Sequence, residues 1–176
     1  VDRMQYTASG TAGRFTMSQD SSAPSGFHNS LKLDCTTADT SVAAGEILLL
    51  STHIEGQDLQ RFCKGTSDAK KFALSFYVKG NANATYVAEL YDHDNSRQVS
   101  KTFNVTTSWT RIELDMGADT TGAFDDNNAI SLTVQFWLHA GSTYSGGTLN
   151  TSWGSVTQAN RAVGICLLYT SPSPRD

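Results

Sequence analysis

Aliphatic or phenyl side chains occupy every second position in the stretch Ser-Leu-Thr-Val-Gln-Phe-Trp-Leu-His, which spans residues 131–139. Successive side chains of a β-strand point to opposite faces of the sheet, so this period of two predicts a strand that buries one face. The apolar face comprises Leu132, Val134, Phe136 and Leu138. The opposite face comprises Thr133, Gln135, Trp137 and His139. We expect a second layer of strands to cover the apolar face.

The same alternation recurs in the segments that precede this stretch. The predicted strands are residues 14–17, 31–35, 46–54, 71–79, 85–92, 98–106, 110–116 and 131–139. Clusters of Gly, Asn, Asp and Ser separate them and mark turns. Closely spaced strands without a long helical pattern predict an all-β protein, folded as an antiparallel β-sandwich or jelly roll over residues 14–165. We expect one short helical turn at residues 57–62 and an irregular loop at residues 140–159.

Length and charge exclude several classes of protein. The chain has 176 residues, of which 39% are hydrophobic and 17% are charged, which suits a single domain with one core. Thirteen Lys and Arg residues against seventeen Asp and Glu residues give a formal net charge of −4. Without a basic run, this charge argues against binding to nucleic acid. The longest wholly apolar run, residues 47–50, is too short to cross a bilayer, so we expect no membrane span.

Seven short blocks, taken in order, resemble a group of tail-fibre and virion-surface proteins of tailed phages. The blocks are Ala-Pro-Ser-Gly-Phe at 23–27, Leu-Asp-Cys-Thr-Thr-Ala at 33–38, Ile-Glu-Gly-Gln-Asp-Leu at 54–59, Leu-Ser-Phe-Tyr-Val-Lys-Gly at 74–80, Trp-Thr-Arg-Ile-Glu-Leu at 109–114, Asp-Thr-Thr-Gly-Ala-Phe at 119–124 and His-Ala-Gly-Ser-Thr-Tyr at 139–144. The resemblance implies a carbohydrate-binding-module-like jelly roll of the galactose-binding type, located in the virion. It also implies two kinds of partner, a host-surface glycan and other virion subunits, with a homotrimer as one arrangement. It carries no set of binding residues.

The two ends of the chain are expected to lie outside this domain. Residues 166–176 read Cys-Leu-Leu-Tyr-Thr-Ser-Pro-Ser-Pro-Arg-Asp and resemble the translation of a transposon-end sequencing adapter. We therefore expect a non-native tail there, in place of the protein's own final strand. Residues 1–13 are expected to be a fragment of an upstream linker or domain.

Five side chains are candidates for holding a sugar, which needs an aromatic ring against its C–H face and planar polar groups at its hydroxyls. They are Trp137, His139, Gln135, Tyr77 and Tyr91. The first three share the polar face of one strand, and both tyrosines lie off the apolar faces of their own strands. If these strands are neighbours, the five side chains form one patch. The alternative is that the loop after residue 139 covers Trp137.

Two acidic turns offer the oxygen ligands that calcium prefers. The candidate metal ligands in one turn are Asp119, Asp125 and Asp126. The other turn has Asp92, Asp94 and Ser96 at the spacing of a calcium loop. That loop fails afterwards, because Arg97 and Phe103 stand where it needs Gly and Glu. Turns capped by Asp side chains are the favoured interpretation of both, and a structural calcium ion is the only cofactor that the sequence leaves open.

No catalytic motif is present, since both Gly-x-Ser-x-Gly and His-Glu-x-x-His are missing from the sequence. Alternation places Glu89 and Glu113 opposite the apolar residues of their strands, so we expect both in solvent rather than paired for glycoside hydrolysis. The sequence therefore predicts a protein that is not an enzyme, a phage virion structural module of the tail-fibre type that binds a host-surface glycan through one sheet face. Two alternatives stay open: a passive spacer or decoration domain of the virion and, third, a polysaccharide depolymerase.

Overall fold

The computed structural model describes residues 3–10, 14–39 and 41–166. Within these residues the chain forms an antiparallel β-sandwich with ten strands, which confirms the predicted all-β fold. The strands are β1 Gln5–Ser9, β2 Phe15–Asp20, β3 Ser30–Cys35, β4 Ile47–Glu55, β5 Phe72–Val78, β6 Ala84–Asp92, β7 Arg97–Val105, β8 Thr110–Gly117, β9 Ile130–Ala140 and β10 Gly154–Ser155. Of the predicted adapter-encoded tail, only Cys166 belongs to the described residues.

Helical structure in the described part of the chain is limited to short segments. Two 3-10 turns, Gly56–Asp58 and Gln60–Phe62, form where the sequence predicts a helical turn. A single-turn helix, α1 Ser142–Ser145, and a 3-10 turn, Gln158–Asn160, follow β9. Among the described residues, no helix has the length and apolar character that passage through a membrane requires.

Six strands form the larger sheet in the order β1-β4-β9-β6-β7-β10, and each neighbouring pair is antiparallel. β9 pairs with β4 on one side and with β6 on the other. Two further antiparallel pairs, β2–β3 and β5–β8, form separate two-stranded sheets. β1 lies within residues 1–13, which the sequence predicts to be a fragment of an upstream linker or domain, and it pairs with Ile47–Ser51 of β4. Residues 5–9 are thus an edge strand of the larger sheet.

The two small sheets pack on one face of the larger sheet, which we call the inner face. Phe76 of β5 contacts Phe103 of β7 and Phe136 of β9, with ring centroids 5.0 and 4.8 Å apart. Both pairs are edge to face, a favourable geometry for aromatic rings. On the other small sheet, Phe15 of β2 packs with Leu48 of β4. The apolar face predicted for β9 is therefore part of the core.

The centre of the opposite, outer face of the larger sheet lies beneath residues 141–165, which we call the strap. Trp137 of β9 packs beneath Tyr144 of the strap, with ring centroids 5.3 Å apart, and Leu149 and Ala162 join the same cluster. β10 lies within the strap and pairs with β7, so the strap is fastened to the sheet edge by backbone hydrogen bonds. The strap makes a third layer, and the centre of the larger sheet is buried on both faces.

Candidate functional site

Three of the five residues predicted to bind a glycan lie together on the outer face. Gln135 and Trp137 belong to β9, and Tyr91 belongs to the neighbouring strand β6. Trp137 is only 1% exposed, because the strap lies across it. The part of the outer face around this indole is therefore a buried surface between the sheet and the strap.

Arg161 of the strap occupies the centre of this buried surface. Its guanidinium carbon lies 4.9 Å from the ring of Tyr91 and 5.0 Å from the ring of Trp137. Its Nε donates a hydrogen bond of 3.0 Å to Glu89, and its Nη2 donates one of 2.9 Å to Gln135. Trp137 Nε1 also donates to Glu89, over 2.5 Å. The planar and aromatic groups expected to meet a sugar are thus bound to a side chain of the same protein.

Glu89 is completely buried, so the expectation of a solvent-facing carboxylate there is wrong. Alternation places Glu89 on the face opposite the core, as predicted, but the strap covers that face. Burial raises the pKa of Glu89, and the charge and hydrogen bonds of Arg161 oppose this rise. Glu113 is exposed, as predicted, and it pairs with Arg111 over 2.9 Å.

His139 lies farther along β9 and is completely buried. Its Nε2 is 3.6 Å from a carboxylate oxygen of Glu46. Burial lowers the pKa of His139, and Glu46 opposes this change. His139 therefore contributes to the interior of the domain, and a ligand that approaches from solvent does not reach it.

Tyr77, the fifth predicted residue, lies on a different sheet and is 43% exposed. Its ring centroid is 5.7 Å from that of Phe27, which is 60% exposed. Arg111 faces Tyr77 across the β5–β8 pair, and Glu113 follows on the same strand. We call these four residues the Phe27–Tyr77 surface. It combines exposed aromatic rings with planar charged groups, the combination that the sequence predicts on the larger sheet.

The three predicted calcium ligands have different surroundings. Asp119 is buried and accepts two hydrogen bonds from Arg97, of 2.7 and 2.9 Å. Burial alone would raise the pKa of Asp119, but hydrogen bonds, first among them that from Arg97, outweigh burial and lower it. Asp125 and Asp126 are exposed. Across the part of the chain that the structure describes, no group of three His, Cys, Asp or Glu side chains is placed to hold a metal ion.

A lysine ammonium lies among the acidic side chains instead. Lys64 Nζ is 2.6 Å from Asp92 Oδ2 and 3.1 Å from Asp119 Oδ2. The side chains of Lys64 and Asp92 are fully buried, and that of Asp119 is 3% exposed. We call these three residues the lysine centre. An internal ammonium supplies the positive charge that two buried carboxylates require.

The surroundings of Lys64 complete its coordination. Nζ donates hydrogen bonds to the backbone oxygens of Gly122, over 2.7 Å, and Thr121, over 3.0 Å. The rings of Phe124 and Trp153 lie 5.0 and 5.4 Å away, so the cation also faces two aromatic rings. A buried charge with this many partners is strongly held in one position.

Two depressions on the described surface lack the groups that glycoside hydrolysis requires. One, of about 380 Å³, is lined by Val42, Ala140, Gly141, Ser142, Ser145, Gly164 and Ile165. Its lining has no titratable side chain. The other, of about 310 Å³, contains a single carboxylate, Asp115, beside Lys101. Neither brings together the two carboxylates that glycoside hydrolysis uses.

Sequence reasoning missed Lys64, Arg161 and Phe27 as parts of these arrangements. Lys64 binds Asp92, which is 28 residues away, and Arg161 binds Glu89 across 72 residues. A local pattern contains no signal for such distant pairs. Phe27 lies in a turn, outside any strand, so no alternation pattern predicts which way its side chain faces.

Comparison with known proteins gives no match to this chain among protein-family models, curated proteins or solved structures. Function therefore has to be inferred from three local features of the fold. They are the outer face beneath the strap, the Phe27–Tyr77 surface and the lysine centre.

Proposed function

We propose that this chain is a non-catalytic structural module of a phage virion, of the tail-fibre type, which serves as a rigid spacer or decoration domain. The observation that carries the proposal is the burial of Trp137, 1% exposed beneath the strap. A face sealed in this way has no room for a glycan around its indole. The virion setting is supported by the seven ordered blocks of sequence that resemble tail-fibre proteins.

Opening the strap to form a binding groove would separate two buried charges. Lifting the strap removes Arg161 from Glu89, which is completely buried when the strap is in place. Breaking a buried ion pair by removal of one partner costs about 3–5 kcal/mol. A closed strap is therefore the stable state, and a closed three-layer domain suits a rigid structural role.

The protein content of purified particles of the phage that encodes this chain tests the proposal. We expect peptides from residues 14–165 in purified particles, at a stoichiometry similar to that of other fibre or baseplate proteins. Quantitative mass spectrometry of density-purified particles makes the measurement. Peptides confined to the soluble fraction of the lysate, with none in particles, would contradict the proposal.

A second candidate function, glycan binding, is favoured by the Phe27–Tyr77 surface. Two aromatic rings lie in contact there and remain 60% and 43% exposed. Arg111 and Glu113 lie beside them and form an exposed ion pair of 2.9 Å. Aromatic faces with adjacent planar hydrogen-bonding groups suit a host-surface sugar. On this interpretation the binding surface lies on the β5–β8 sheet and leaves the strap closed.

The two candidates are separated by a glycan array with the wild-type chain and two variants. Glycan binding predicts a signal that Tyr77→Ala removes and Ile130→Ala retains. Ile130 is the matched control, because it is 44% exposed but lies on β9 of the other layer. Absence of signal from the folded wild-type chain, with and without calcium, would reject glycan binding and favour the spacer.

A further inference from the structure

The lysine centre contains the groups that form an amide bond. It brings an amine, Lys64 Nζ, to 2.6 Å from a carboxyl oxygen of Asp92, in a site where neither side chain is exposed. A second carboxylate, Asp119, lies 3.1 Å from the same nitrogen. Two groups that a fold holds in contact react as if one of them were present at a very high effective concentration.

We propose that Lys64 and Asp92 join in an intramolecular amide bond, formed by the folded protein itself. The bond would link the segment between the 3-10 turns and β5 to the end of β6. It is a covalent modification that stiffens the domain, and it is independent of the function proposed above.

The reaction balances without any cofactor. A proton passes from the Lys64 ammonium to a carboxylate, which leaves a neutral amine and a protonated carboxyl group. The amine nitrogen attacks Cγ of Asp92, a C–N bond forms, and one C–O bond of Asp92 breaks. The departing oxygen leaves as water. Since ammonium plus carboxylate gives amide plus water, no oxidant or reductant is needed.

Asp119 is placed to carry the proton. Arg97 donates two hydrogen bonds to Asp119, so the Asp119 carboxylate stays in position while Lys64 Nζ changes its protonation state. The proton reaches the departing oxygen from Asp119, since both carboxylates touch Nζ. Proton transfer by a positioned side chain is an ordinary contribution to such reactions.

Hydrogen bonds from the surroundings direct the attack. The backbone oxygens of Thr121 and Gly122 accept two N–H groups of Nζ, which leaves its third position turned toward the carboxylates. Asn95 Nδ2 lies 3.0 and 3.3 Å from the two oxygens of Asp92 and donates toward them. A donor in this position stabilises the negative charge that develops on the carboxyl oxygen during attack.

Burial supplies a reason for the bond to form. Two opposite charges removed from water carry a desolvation penalty, and a neutral amide does not. The remaining pair, Asp119 with Arg97, keeps its charges balanced after the reaction. Rings of Phe124 and Trp153 close one side of the site.

The intact mass of the purified chain tests the proposal. We expect a mass lower than that of the sequence by one water molecule, and a branched peptide that contains both Lys64 and Asp92 after digestion. The full sequence mass would overturn the proposal. A loss of water accompanied by linear peptides for both residues would also overturn it, because dehydration then occurred elsewhere. Lys71 and Asp115 provide an internal control, since they are 2.9 Å apart but exposed and should give linear peptides.

Three variants assign the roles. Lys64→Arg should have its full sequence mass, and Asp92→Asn should form the same branched peptide with loss of ammonia instead of water. Asp119→Asn should keep its full mass and a native circular dichroism spectrum, because no second carboxylate then carries the proton from the amine to the departing oxygen of Asp92. Complete cross-linking in folded Asp119→Asn would contradict the role of Asp119. The wild-type mass decides the proposal even if a variant fails to fold.

Discussion

A buried ammonium is rare among folded domains, and Lys64 tolerates its position because it has two carboxylates and two backbone oxygens as partners. The sequence offers Asp119 as a candidate metal ligand, because its turn is rich in oxygen donors. The structure places Lys64 where such an ion would have to bind Asp92 and Asp119 together. Stability of this region should therefore depend on Lys64.

Lys64→Met should lower the free energy of unfolding by about 3–5 kcal/mol, because it leaves the buried carboxylate of Asp92 without its cation. The direction is the same whether the native pair is ionic or joined by an amide. Denaturant titration followed by circular dichroism measures the change.

Lys71→Met is the matched control for that experiment. Lys71 pairs with Asp115, but the two side chains are 73% and 61% exposed. The free energy of unfolding should therefore fall by less than about 1 kcal/mol in this variant. An equal decrease in the free energy of unfolding of the two variants would mean that burial of the lysine centre does not contribute to stability.

Two histidines should make stability depend on pH. Burial, with His53 nearby, lowers the pKa of His93, and burial lowers the pKa of His139. As pH falls, the unfolded chain takes up protons near its ordinary histidine pKa while the folded chain does not. Unfolding is then favoured, so the free energy of unfolding should decrease from about pH 8 to about pH 5.

His93→Gln should reduce this pH slope when denaturant titrations are repeated across the same range. His28→Gln serves as the control, because His28 is exposed. An unchanged slope in His93→Gln, or a rise in wild-type stability on acidification, would contradict the assignment.

At the scale of elements, alternation locates eight of the ten strands in the described part of the chain. Residues 71–79 and 110–116 were predicted as strands, and the structure forms β5 at Phe72–Val78 and β8 at Thr110–Gly117. Period-two patterns identify such elements because one face of each strand packs in the core and the other does not. The sequence does not predict β1 or β10. β1 is a five-residue edge strand with little burial to impose a pattern, and β10 has only two residues, within the predicted loop 140–159.

Alternation does not say what covers the second face of a strand. The alternation correctly places Trp137 and Glu89 on the outer face. Such a face can contact either solvent or another part of the chain. The strap is irregular and rich in Gly, Ser and Thr, so it has no periodicity that would predict its position. For this reason the sequence left two alternatives, an exposed patch or a Trp137 covered by the loop after residue 139, and the structure has the second, with a buried Arg161–Glu89 pair.

Arg161→Met should loosen the strap. It leaves Glu89 buried without its cation, and the free energy of unfolding should fall by about 3–5 kcal/mol. Hydrogen exchange should increase in strap peptides before it increases in β4 and β9. Arg111→Met is the control, since its pair with Glu113 is exposed, and faster exchange of the strap in this variant would contradict the assignment.

The first 3-10 turn depends on a close backbone approach at Gly56. A Cβ added there would lie 2.0 Å from the backbone oxygen of Asp125, closer than any tolerated contact. Gly56→Ala should therefore destabilise the domain by about 1–3 kcal/mol. Gly45→Ala should have little effect, because no atom lies within 4 Å of its added Cβ, and thermal unfolding of both variants makes the comparison.

At the scale of the whole molecule, the chain is a two-layer sandwich with a strap as a third layer. The buried centre of the larger sheet favours rigidity, and the exposed aromatic pair lies on the opposite side, on the β5–β8 sheet. Recognition of a partner and closure of the strap are thus located on different surfaces. A ligand bound at the Phe27–Tyr77 surface should leave the environment of Trp137 unchanged.

Hydroxyl-radical footprinting with residue-level mass spectrometry tests the closed strap most directly, and it uses the unmodified protein. Phe27 and Tyr77 should be oxidised rapidly, since they are 60% and 43% exposed. Trp137 should be protected until the whole domain unfolds, although an indole is intrinsically a reactive target. Oxidation of Trp137 in the native protein as fast as that of Tyr77 would show an open outer face and contradict the structural role proposed for this module.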